Sequence, residues 1–142
     1  MCILSPKNDA VSFDICDVNF MEFMMITEDV KEIPGHLCQG SPLRAVSFSK
    51  LCLVKRIGIG AFASCKSLRE IEIPASVAVL CEWCFSYSSV SRVTFARGSC
   101  LKRIEKAAFY MCKSLKEIEI PASVEVLCEE CFSNSALCRL RV

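Results

Sequence analysis

The sequence predicts a mostly β fold: a solenoid of stacked short parallel strands, five or six coils long, with turns or short helical segments between strands. Three observations carry that expectation. Cys65 through Val77 returns as Cys112 through Val124 with only Arg69 changed, to Lys116, a shift of 47 residues. An aromatic anchor recurs at Phe62, Phe85, Phe109 and Phe132, spaced 23, 24 and 23, so the long period holds two units. Each unit carries an apolar-x-x-apolar-x-apolar motif whose last pair has the period of one strand face. A unit of about 23 residues cannot bury its own apolar edge, and stacking copies supplies the missing core.

The units follow in order. Met21 to Ile26 is a weak first copy; Leu43 to Phe48, Leu68 to Ile73, Val90 to Phe95, Leu115 to Ile120 and Leu137 to Val142 are the later ones. Pro74 and Pro121 end two of these strands, because proline cannot donate to a ladder. A second short apolar pattern comes next, Val77/Leu80, Leu101/Ile104 and Val124/Leu127, and the phenylalanine anchor follows it. Residues 21–142 are therefore assigned to the solenoid. Residues 1–20 hold no copy and are expected to fold as an irregular N-terminal cap over Phe23 and Met25. The final motif has no polar unit after it, so the C-terminal edge is expected to be uncapped and open to self-association. A sandwich of hairpins fits poorly, since Asn-Gly and Asp-Gly turns are absent.

Composition narrows the function. The chain is 53% hydrophobic with a net charge of +1 and interspersed signs, which gives nucleic acid no basic patch to find. Lys55-Arg56 and Lys102-Arg103 lie between apolar strand-like residues and read as a solvated face. The N-terminus has no basic start followed by an apolar run, and the apolar stretch from Val18 to Ile26 is too short to span a bilayer. No membrane insertion is expected, and the chain is expected to be soluble.

Twelve cysteines suggest metal or redox chemistry at first sight. Cys81-x-x-Cys84 and Cys128-x-x-Cys131 could form a four-thiolate zinc site. Two coils separate them, roughly 9.6 Å at strand spacing, too far for one tetrahedral ion. The matching places in the other units are Gly58 and Ala61, then Glu105 and Ala108, so the inner cysteine fills a small-residue packing slot. No metal or cofactor is expected, and packed reduced thiols are the default reading. His36 is the only histidine, beside Pro34-Gly35, and a triad has too few parts. Gly58-Ile59-Gly60 lacks the third glycine of a dinucleotide loop and reads as a variant of the repeat's turn. An enzyme is not expected.

The run Ile57-Gly58-x-Gly60-Ala61-Phe62-x-x-Cys65-x-Ser67-Leu68-x-x-Ile71-x-Ile73-Pro74-x-Ser76-Val77 resembles the BspA-type leucine-rich repeat. So does Phe95-x-x-Gly98-Ser99-x-Leu101-x-x-Ile104-x-x-x-Ala108-Phe109. The resemblance covers about residues 41–142. It implies a leucine-rich-repeat solenoid and a binding role in adhesion, as in surface-antigen proteins of bacteria and parasitic protists. It also implies a cell-surface or extracellular location. With no leader or membrane span in this sequence, a cytoplasmic repeat scaffold is the alternative; a small metal or thiol-redox protein using the Cys-x-x-Cys motifs is a third class.

A partner would meet the strand positions that point away from the core. They form two rows: Ala45, Glu70, Arg92, Glu117, Arg139 and Ser47, Glu72, Thr94, Glu119, Arg141. The first alternates in sign from Glu70 onward, with neighbours expected about 4.8 Å apart. Such a ladder can simply keep an exposed sheet soluble and in register. It can equally serve as a recognition surface for a protein or glycan, with Glu70, Glu72, Arg92, Thr94, Glu117, Glu119 and Arg139 as its contacts. These positions are generic charges and include no aromatic.

Overall fold

The computed structural model describes residues 2–7, 10–13 and 20–142 of the chain. Strands β1 (Cys2–Lys7), β2 (Ala10–Phe13), β3 (Phe23–Ile26), β5 (Ala45–Phe48), β7 (Glu70–Ile73), β9 (Arg92–Phe95), β11 (Glu117–Glu119) and β13 (Arg139–Arg141) line one side. Two-residue strands line a second side: β4 (Glu32–Ile33), β6 (Arg56–Ile57), β8 (Val79–Leu80), β10 (Arg103–Ile104) and β12 (Val126–Leu127). Turns form the third. Successive strands on each side are parallel wherever they pair, β1 with β2 excepted, and the result is a β solenoid of about six turns. Among the described residues the connections are turns, and no α-helix occurs.

The two sheets differ in continuity. The short strands form one unbroken order, β4-β6-β8-β10-β12. The longer strands split into three blocks, β2-β1-β3-β5, β7-β9 and β11-β13. Chain length explains the split. Paired residues within a block lie 22 apart, as in Met24↔Val46, Ile71↔Val93 and Ile118↔Leu140, whereas Val46 to Ile71 and Val93 to Ile118 span 25. The short-strand sites Ile33, Ile57, Leu80, Ile104 and Leu127 are spaced 24 or 23. The longer winding has a wider perimeter, so the strand that closes it is displaced from its predecessor's hydrogen bonds. The even spacing expected along Glu70, Arg92, Glu117 and Arg139 is thus corrected: Glu70 pairs with Arg92 and Glu117 with Arg139, and a break separates the two pairs.

Residues 1–20 were expected to be irregular. Their described part forms β1, paired parallel with β3, and β2, paired antiparallel at its outer edge. Residues 1, 8, 9 and 14–19 lie outside the described residues. Phe23 and Met25 remain 46% and 40% exposed, so β1 and β2 extend the sheet without covering them.

Stacked phenylalanines fill the middle. Phe62, Phe85 and Phe109 are fully buried, and each ring lies 5.4 Å from the next, through to Phe132, within 12° of parallel. Cys38 continues the column one coil earlier, also buried. Beside it runs a column in which hydroxyl and thiol alternate: Ser41, Cys65, Ser88, Cys112, Ser135. Cys65 Sγ donates to Cys38 O, and Cys112 Sγ to Phe85 O, both at 3.1 Å, so each thiol satisfies a buried carbonyl.

The turn side is as regular as a sheet. Each coil donates to the next through three backbone amides, for example Gly60 N to Glu82 O (2.9 Å), Phe62 N to Cys84 O (2.8 Å) and Ser64 N to Ser86 O (2.8 Å). Two left-handed residues per turn make this possible: His36, Gly60, Trp83, Ala107, Glu130 in one column and Gly40, Ser64, Tyr87, Met111, Asn134 in the other. Gly58 is required for another reason. A Cβ there would lie 2.5 Å from Ile33 O, so the coils approach closely only because it is glycine.

Candidate functional site

All seven residues singled out on the strand side are exposed: Glu70, Glu72, Arg92, Thr94, Glu117, Glu119 and Arg139. The register sets Glu70 beside Arg92, Glu72 beside Thr94 and Glu117 beside Arg139. Arg139 Nη1 reaches Glu117 Oε2 at 3.3 Å, both side chains more than half exposed. Glu70 and Arg92 are neighbours without an ion pair within 4 Å. The row is therefore two charged pairs flanking a break between Arg92 and Glu117. An exposed pair of this kind is worth only ~0–1 kcal/mol, so stability gives little reason to build it.

Each break opens a cleft, and the two clefts are copies. One, between β9 and β11, is lined by Thr94, Phe95, Glu119, Pro121 and Ser123. The other, between β5 and β7, is lined by their counterparts 47 residues earlier, Ser47, Phe48, Glu72, Pro74 and Ser76. Their volumes, about 620 and 600 Å³, are nearly equal. Glu72, Thr94 and Glu119 thus stand on cleft rims, a grouping the sequence rows did not reveal.

The cysteines sit in packing columns. Cys84 and Cys131 are buried in the slot that Ala61 and Ala108 occupy, and burial raises both thiol pKa values. Cys81 and Cys128 lie on either side of Glu105's coil. Arg56 Nη2 approaches Cys81 Sγ at 3.4 Å, and Cys128 Sγ lies 3.2 Å from Glu105 Oε2. The Arg103 guanidinium, 2.8 Å from Glu105, holds that carboxylate below its ordinary range. Among the described residues no three His, Cys, Asp or Glu side chains converge as metal ligands. His36 stands exposed on the turn side, its Nδ1 2.8 Å from Gln39 Oε1.

Sequence reasoning missed a cluster on the turn side. Trp83, Tyr87 and Tyr110 meet there, with Trp83–Tyr110 and Tyr87–Tyr110 ring centroids 5.4 and 5.6 Å apart and near-perpendicular. Lys66 Nζ lies 5.8 Å from the Tyr87 ring centroid and donates to Tyr87 O.

With stacked coils, two strand sides and a ridge of left-handed turns in place, comparison with known proteins is direct. The profile of the BspA type leucine-rich repeat region matches residues 31–142 in six copies. The chain belongs to the BspA-type leucine-rich repeat family. Among solved structures, the pneumococcal vaccine antigen PcpA superposes with a TM-score of 0.77 over 97% of this chain at 24% identity. A leucine-rich cell surface protein of Faecalibacterium prausnitzii superposes with a TM-score of 0.58 over 84% at 25% identity. The chain spans 33% of the first of those proteins and 38% of the second. Among curated proteins none matches the chain significantly. Leucine-rich repeat proteins generally bind other proteins, and solenoids of this kind are typically not enzymes.

Proposed function

We propose that this leucine-rich repeat protein is a non-enzymatic recognition module of the surface-antigen kind, contacting a protein or glycan through its long-strand side. The observation that carries this reading is the pairing of exposed charges with duplicated clefts. Glu70/Arg92 and Glu117/Arg139 offer fixed charges, and the breaks beside them offer matching concave surfaces two coils apart. Resemblance to a cell surface protein supports an extracellular setting. Two equivalent sites on one rigid body suit a ligand that itself repeats, because the second contact forms at high effective concentration.

The test is binding of the labelled protein to protein and glycan arrays, followed by the charge reversals Glu70→Lys and Glu117→Lys. Affinity for the retained ligand is expected to fall about tenfold or more, ~1.4 kcal/mol, with the melting temperature shifted by only a few degrees. Equal binding by variant and parent removes the strand side from the function.

A further inference from the structure

We propose that Trp83, Tyr87 and Tyr110 form a carbohydrate-binding platform on the turn side, separate from the strand face. The chain has one tryptophan and two tyrosines, and all three converge here. The repeat itself does not call for them. Trp83 and Tyr87 occupy left-handed positions, φ 60° and 58°, where a bulky side chain is an outlier. Other coils fill those two columns with His36, Gly60, Ala107 or Glu130, and with Gly40, Ser64, Met111 or Asn134. At the Tyr110 position the neighbouring coils carry Ser86 and Ser133. The left-handed backbone belongs to every coil, so what sets this one apart is the aromatic side chains placed on it.

The rings are not buried in return: Tyr87 is 41% exposed, and Trp83 and Tyr110 are only partly covered. Neither the indole N–H nor either phenol O–H has a hydrogen-bond partner among the described residues. The patch therefore combines partly exposed aromatic surface with unused polar tips, and the Lys66 ammonium lies over the Tyr87 ring.

A pyranose ring has the complementary anatomy. Its axial C–H groups form an apolar face about the size of a phenyl ring, and its equatorial hydroxyls point to the rim, where phenol, indole and ammonium groups can meet them. A protein partner fits less well: three partly covered rings fall short of the ~800 Å² per partner that a stable protein interface buries. Bases stacking on these rings would lack the positively charged groove that single-stranded nucleic acid requires, since the chain's net charge is only +1.

Because Trp83 is the only tryptophan, its emission reports the platform directly. The intact chain is titrated with cellotetraose, chitotetraose and maltotetraose, and calorimetry is run in parallel. At least one sugar is expected to shift the emission saturably. Tyr110→Ser, which installs the residue of the adjacent coils, is expected to weaken that binding about tenfold or more while lowering the melting temperature by only a few degrees, as loss of its two ring contacts requires. Glu117→Lys on the strand face is expected to leave it intact, which keeps this test separate from the preceding one. The platform is overturned if none of the three sugars perturbs Trp83, if Tyr110→Ser binds as the parent does, or if Glu117→Lys abolishes the response.

Discussion

The two strand sides of this solenoid are built by one chain with one period, yet only one keeps a continuous ladder. On the short-strand side the spacing hardly varies, 23 or 24, and five strands pair without interruption. On the long-strand side the same 47 residues divide as 22 and 25, and pairing stops after every second coil from β5 onward. Two of the three extra residues lie in the crossing from long to short strand: Val46 to Ile57 spans 11 positions, Ile71 to Leu80 only 9. The third lies in the return turn. The lesson is a division of labour: the regular side and the stacked rings hold the coils together, and the irregular side opens the clefts, while exposed charges line both.

The sharpest way to break that comparison is to damage each side equally. Phe85→Ala empties a fully buried place in the ring stack and is expected to cost about 3–5 kcal/mol in urea unfolding, against roughly half that for half-buried Phe95→Ala on the cleft wall. Equal losses would put the two sides on a par. A smaller effect comes from alkali. Burial raises the thiols of Cys65 and Cys112, on the turn side, to about 11 from 9.0. Between those values the unfolded thiols have lost their protons while the native ones keep theirs, so stability falls as pH rises from about 9 to 11, by ~2–3 kcal/mol per thiol. The double variant Cys65→Ser, Cys112→Ser, matching Ser41, Ser88 and Ser135 in the same column, should show a shallower dependence in denaturation curves, the remainder coming from Cys38, Cys84 and Cys131, whose thiols burial also raises. The subtlest difference is in amide exchange. Arg92 N donates to Arg69 O and Arg139 N to Lys116 O, both at 3.2 Å, whereas Glu70 and Glu117, at the same position beside a break, have no such acceptor among the described residues. Their amides are expected to exchange about tenfold faster by NMR. Matched rates would mean the breaks are closed in solution.

Much of this was legible in the residues. The duplicated Cys65–Val77 run and the phenylalanine spacing announced a stack. The period-2 apolar pairs located the long strands; Val77/Leu80 and its copies stood out as a second apolar pattern, but turns or short helical segments were expected there and the second ladder of two-residue strands was not. The alternating signs of Glu70, Arg92, Glu117 and Arg139 placed the exposed row. What escaped was the consequence of unequal spacing. Leu43, Leu68, Val90, Leu115 and Leu137 are 25, 22, 25 and 22 apart, but a count of residues does not say whether a longer loop bulges outward or displaces a strand. The left-handed columns escaped because only Gly40 and Gly60, and more weakly His36 and Asn134, advertise them; Trp83, Tyr87, Ala107 and Met111 carry no such signal. The aromatic cluster escaped because its members sit in three different columns, brought together only by the stacking of one turn on the next.

The alternation of Ser41, Cys65, Ser88, Cys112 and Ser135 has one more consequence. Neighbouring windings are not interchangeable: one is long and carries sulfur, the next is short and carries oxygen. Inserting or deleting a single winding would set two of the same kind together and shift every later cleft to the wrong neighbour. Duplication in steps of 47 residues leaves every neighbour relationship intact. The array can be lengthened or trimmed only in doubles.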